Sequence, residues 1–273
     1  MKQHKCLLFI QTMIFLGIMG LPSCQQTKIW KHAKTIDLQD VAPIGVTFFD
    51  TKIWLADGDN NRVVSIDESG KKQQVYTDFE RPMHLTSDDN NLYIPEYGSD
   101  KIVKITNGQK NTIILTDSLD APAGVAVFKD EMAIADFYHH RILYFDGKKW
   151  TSFGKEGKKQ SEFYYPTDVH ITNDYIYIAD AYNNRVQIWD KELKFIQAIG
   201  STEKMNAATG IYVTNEQLFV TDFENNRVLI YSLNGELHQI IDEYLSKPTD
   251  ILVVDGKMYV TNYKGKNLQV FQP

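Results

Sequence analysis

Apolar and polar positions alternate along most of the chain in short runs and not at helical spacing. KIWLAD, YIYIAD, QLFVTD and KMYVTN are each an alternating or apolar run that ends in an acid or an amide. A polar turn follows, then a second run of the same kind: RVVSI, RVQIW, RVLIY or NLQVF. Ahead of each pair lies a short apolar stretch such as GVTFF or DVHIT. Behind most pairs lies a more polar one, such as KKQQVY, NTIIL or KFIQAIG. Short runs rich in Val, Ile, Tyr and Phe, divided by turn residues, predict antiparallel strands.

The strands recur with a period. Aligning the acids gives six units, at Asp57, Glu96, Asp136, Asp180, Asp222 and, with an amide in the acid's place, Asn262. An upstream marker keeps step with them: Pro43, Pro82, Pro122, Pro166, Ala208 and Pro248, each series recurring about every 40 residues. Length changes therefore fall between units. Four strands per unit, repeated six times, predict an all-β, six-bladed β-propeller with four-stranded antiparallel blades. The last unit has only three strands. KHAKTIDL, at 31–38, supplies the fourth and ties the two chain ends together, so no blade edge is left open. The propeller is expected over 31–273, after a tether at 24–30.

Composition agrees with one large folded domain: 273 residues, 43% hydrophobic and 12% aromatic. The first 23 residues read differently, as a basic start (MKQHK), an apolar run too short for a comfortable membrane span, and LPSC. They are expected to be a signal peptide. LPSC resembles the lipobox of bacterial lipoproteins, which implies cleavage before Cys24 and its lipidation. Cys6 would leave with the leader, so the mature chain could form no internal disulfide. Localisation is then expected at the bacterial cell envelope, lipid-anchored and facing the periplasm or the exterior. The net charge of −6 becomes more negative when Lys2 and Lys5 depart, which argues against nucleic acid as a partner.

Within each turn, a base follows the acid at a fixed distance, giving the pairs Asp57–Arg62, Asp136–Arg141, Asp180–Arg185 and Asp222–Arg227. In the second unit both members change together, to Glu96 and Lys101; in the sixth both become amides, Asn262 and Asn267. A pair that keeps or loses charge as a unit is expected to be an architectural lock, since a buried charge without its partner is costly. The intervening Asn–Asn steps suit turns with positive φ. The Pro-x-Gly/Asp-Val starts, the runs to Ala-Asp, and Asn-Asn-Arg-Val resemble the NHL repeat over nearly the whole mature chain. That resemblance implies a six-bladed propeller that binds proteins or other ligands.

Two sets of side chains are expected on the face that carries these turns. Two residues after each marker stand Gly45, His84, Gly124, Asp168, Gly210 and Asp250, glycine alternating with a polar residue around the ring. His170 lies two residues beyond Asp168 on the same strand face. His84, Asp168, His170 and Asp250 are candidate ligands for a divalent cation in the central channel, or acid–base groups. The alternative is that the short acids bond nearby backbone amides, and no cofactor is the leading expectation. The second set is the aromatic rim, Tyr97, Phe137, Tyr138, Tyr182, Phe223 and Tyr263. The longest connection, 151–166, adds Lys155, Lys158, Lys159 and Tyr164 beside it.

Two functions follow. The first is a monomeric, envelope-anchored binding module that takes a protein, peptide or glycan on the rim. The second is a metal-dependent hydrolase or lyase acting at the channel. Six-bladed relatives of the second kind include gluconolactonase-like hydrolases and the lyase that finishes peptide amidation. Their Glu-Gly-Pro opening and Pro-His steps are absent here, where Ala42–Pro43–Ile44–Gly45 stands instead. No nucleophile elbow, phosphate loop or Cys-x-x-Cys is present. On those grounds the binding module is the leading expectation.

Overall fold

A computed structural model of the protein describes residues 28–273; the leader and Cys24 lie outside the described residues. Six four-stranded antiparallel sheets follow one another as blades, at 45–76, 86–112, 122–153, 166–199, 208–241 and 248–272. The repeat period predicts this six-bladed propeller, and blade six takes its outer strand from the N-terminus. There Lys31–Asp37 pairs antiparallel with Asn267–Gln272, with Ile36 opposite Leu268 and a bulge between His32 and Lys34. No described helix is long and apolar enough to cross a membrane.

The alternating strands place one apolar face of each blade against its neighbour. Each interface between adjacent blades consequently has its own hydrophobic cluster. Tyr177, Val186 and Ile188 of blade four, for example, meet Ile211, Leu218 and Tyr231 of blade five. The closing interface packs Ile36 and Leu268 of blade six with Leu55 and Val64 of blade one. Trp30, inside the segment expected as a tether, is buried on blade five. Its indole N–H donates to Gln217 Oε1 at 3.1 Å, and its ring meets Phe219 edge-on at 5.6 Å. Gln239 grips its backbone from both sides, at 2.9 and 2.7 Å.

Candidate active site

The turns between second and third strands build the site face, and each turn makes two separate connections. The buried acid closes the turn: Arg62 Nε donates to Asp57 Oδ2 at 2.6 Å, and Arg141, Arg185 and Arg227 donate to Asp136, Asp180 and Asp222 at 2.7 Å. Its other oxygen accepts a backbone N–H from the chain entering the same blade, as Asp57 Oδ1 does from Ala42 at 3.1 Å. The first amide of the turn, Asn60, donates back to Asp57. The second amide, Asn61, sits in the left-handed region at φ 54° and reaches the next blade, where its Oδ1 accepts the Arg81 N–H at 2.9 Å.

The ring around the axis alternates for a steric reason. A Cβ on Gly45, Gly124 or Gly210 would stand 2.4, 2.7 or 2.3 Å from the backbone oxygen of Met83, Thr167 or Thr249 on the next blade. Only glycine allows so close an approach. Each polar residue then holds the following glycine blade. Asp168 accepts the Ile211 N–H, and Asp250 the Val46 N–H, both at 2.8 Å. Each carboxylate also takes the amide next to it, Val169 or Ile251, again at 2.8 Å. At the third such step the backbone oxygen of His84 accepts the Val125 N–H at 3.4 Å, which leaves the imidazole out of the seam.

His84, Asp168 and Asp250 meet at the centre, with one ligand atom of each lying within 4.8 Å of the others. All three are buried, at 3%, 5% and 4% exposure. His84 Nδ1 stands 3.6 Å from Asp250 Oδ2 and has no hydrogen-bond partner. Burial by itself would depress the imidazole pKa, but the carboxylates of Asp250 and Asp168 outweigh it and hold the pKa above its ordinary value. Burial pushes the Asp168 carboxyl up to about 7; His84 and the two amides oppose that shift, and Asp250 adds to it. His170 is not part of this group. It points away from the mouth, edge-on to Tyr212 at 5.0 Å, and burial alone lowers its pKa to about 4.

The group stands between two cavities. On the turn side, a cavity of about 500 Å³ is lined by His84, Arg81, Phe137, Tyr182, Phe223 and Tyr263. At the opposite end, one of about 360 Å³ is lined by Asp168, Asp250, His170, Tyr212 and aliphatic side chains. Of the rim aromatics, Tyr97 and Tyr138 stand behind the cavity wall, 5.6 and 5.0 Å from Phe137. Tyr182 and Tyr138 are the open ones, 59% and 48% exposed. Phe223 lies under Lys247, and the Tyr263 hydroxyl donates to Asp59 at 2.8 Å. Sequence reasoning passed over Tyr165. It is the hub of the aromatic group, 4.8 Å from Phe137, 4.9 Å from Tyr182 and 4.4 Å from His140. Its signal was the FYYP run before the blade-four proline. The 151–166 connection is tied down: Arg185 donates to the Lys159 and Glu162 carbonyls, and Phe163 is buried.

The donor set fits a divalent cation. A single imidazole nitrogen with two carboxylates is a mixed N/O site of the kind that borderline ions such as zinc or manganese take. The unpartnered His84 Nδ1 is a ligand atom not committed elsewhere. Each carboxylate oxygen, although bonded to an amide, retains a further lone pair. The ligand atoms lie within 4.8 Å of one another, a spread that suits a larger ion with ligands at about 2.4 Å and would have to close by more than about 1 Å for tetrahedral zinc.

No family model matches the chain. Among curated proteins, Protein brain tumor of Drosophila melanogaster is 30% identical over 95 residues, which is 33% of this chain and 9% of that protein. The chain thus spans less than a tenth of that relative's length. Among solved structures, a streptogramin B lyase superposes with a TM-score of 0.65 at 18% identity, over 89% of this chain and 87% of that one. A catalytically inactive variant of virginiamycin B lyase from Staphylococcus aureus, solved with quinupristin, gives 0.67 at 20% identity, over 89% and 85%. A gluconolactonase from Xanthomonas campestris gives 0.71 at 13%, over 87% and 88%. At these identities the likeness shows the fold: a six-bladed propeller with structural neighbours among lyases and a lactonase. These neighbours correct the leading expectation of a pure binding module. That expectation leaned on missing motifs next to the blade prolines. The buried His84–Asp168–Asp250 group is instead assembled two residues beyond them, from alternate blades, where no contiguous motif records it.

Proposed function

We propose that the protein is an enzyme that opens a cyclic ester, by hydrolysis or elimination, in the turn-side cavity, using a divalent cation held by His84, Asp168 and Asp250. The observation that carries this reading is the buried His/Asp/Asp group, of which His84 lines a cavity with an aromatic wall. A cation there would polarise an ester carbonyl. Phe137, Tyr182, Phe223 and Tyr263 would seat the ring of the substrate and exclude water from it. The site raises the pKa values of both His84 and Asp168, and both would have to be deprotonated to hold the ion, so loading of the site would release protons. The named activities of the lactonase and lyase neighbours support cyclic esters as the first substrates to try. The Asp–Asn–Asn–Arg turns, with the short likeness to Protein brain tumor, support reading the blades as NHL-type repeats.

Elemental analysis of protein purified without added metal or chelator should find about one divalent ion per chain, and none in His84→Ala. Gluconolactone and virginiamycin B, offered with that ion, should be turned over, with kcat falling by about 10²-fold or more in the same variant. Absence of a bound ion, together with no turnover of either compound under metal supplementation, would remove the proposal.

A further inference from the structure

Four of the chain's five arginines close blade turns on buried carboxylates, and Arg81 does not. It lies on the wall of the turn-side cavity, and among the described residues no carboxylate forms an ion pair with it. Its backbone is fixed at φ 56° by two bonds, its N–H donating to Asn61 Oδ1 at 2.9 Å and its carbonyl accepting the Tyr97 N–H at 3.1 Å. Its guanidinium carbon stands 5.6 Å from the centre of the Tyr97 ring. A cation so placed is oriented by an aromatic face and leaves its planar fork of donors uncommitted. The one acid lining the same cavity, Glu224, is already taken by Lys247 at 2.6 Å.

We propose that Arg81 is the specificity-determining residue of this cavity and binds a carboxylate carried by the substrate, next to a ring seated on Phe137 and Tyr182. The inference rests on the reading of this cavity as the substrate site, and it narrows the substrate class to acidic cyclic esters. A monoanion fits better than a phosphate. One guanidinium balances one charge, while the chain as a whole carries −6 and would repel a dianion. The planar fork also matches a carboxylate bidentately.

The test reads binding without turnover. Benzoate and its neutral isostere benzamide are titrated into chelator-treated protein at low salt, followed by ligand-observed NMR. Wild type should bind benzoate about tenfold more tightly, a preference that shrinks with salt. Arg81→Gln, whose side chain is at the surface, should bring the ratio to about one while leaving the circular dichroism spectrum unchanged. Arg81→Lys should retain part of the preference, since charge remains without the fork. An unaltered ratio in Arg81→Gln, or no preference in wild type, would overturn the assignment. The preference with no turnover of any lactone would leave Arg81 as an anion site and remove only the enzyme reading. Lactone turnover indifferent to a substrate carboxylate would do the reverse.

Discussion

Asn61, Asp100, His140, Asn184 and Asn226 occupy one position in five successive turns, all with φ between 53° and 57°. Each uses a side-chain acceptor to take a backbone N–H from the next blade: Arg81, Ala121, Tyr165, Ala207 or Lys247. The requirement is an acceptor on a short stem that tolerates the left-handed region, which an amide, a carboxylate and an imidazole all meet. At His140 the bond fixes the tautomer: Nδ1 accepts, so the proton sits on Nε2. The acids four residues earlier carry a charge that the amide of the sixth unit, Asn262, lacks, and that difference is measurable. Asp222→Ala should cost about 3–5 kcal/mol, because Arg227 loses the partner of a buried pair. Asn262→Ala, which breaks the neutral bond to Asn267, should cost about 1–3 kcal/mol. Urea titration of both variants decides it, and equal losses would mean that charge is not what the turn depends on.

At the scale of the element, the first strand of each blade was legible only in part. The proline-plus-two register picked out His84, Asp168 and Asp250 and the glycines between them, because the strand period of two is local. Why glycine alternates was not legible, since it depends on how closely the next blade's backbone approaches. Nor was the exclusion of His170, which lines the opposite cavity against Tyr212 of the next blade, a neighbour that sequence does not show. The same strands make a pH prediction for protein kept free of metal. Folding raises the Asp168 pKa to about 7 from an unfolded value of about 3.9, so its contribution to stability is lost as pH climbs towards 7. His84 is raised as well, and its contribution disappears as pH rises through the folded value, above about 6.5. His170, lowered to about 4, works in the opposite sense but only up to about 6.5. Thermal melts in chelator should therefore show stability falling between about pH 6.5 and 8, more steeply in wild type than in Asp168→Asn. A flat or rising profile in wild type would count against the protonated group.

For the whole molecule, the sequence period decides blade number, strand order and the closing strand. Function was less legible: the leading reading rested on missing local motifs, whereas the candidate site is made of residues brought together from blades two, four and six. Ring closure reaches further than strand pairing, because Trp30 carries the N-terminal segment past blade six onto blade five. Trp30→Ala should cost about 3–5 kcal/mol by chemical denaturation, as for other large core truncations. A loss below about 1 kcal/mol would show that the strand at Lys31–Asp37 closes the ring unaided.

The position of the His84–Asp168–Asp250 group between the two cavities bears on traffic under the proposed activity. For the reaction proposed in the turn-side cavity, a buried group between it and the opposite cavity leaves one doorway, so that product would go out by the way the next molecule comes in. Product should therefore inhibit competitively against substrate, and a bulky product should hold back each new cycle until it clears the aromatic rim.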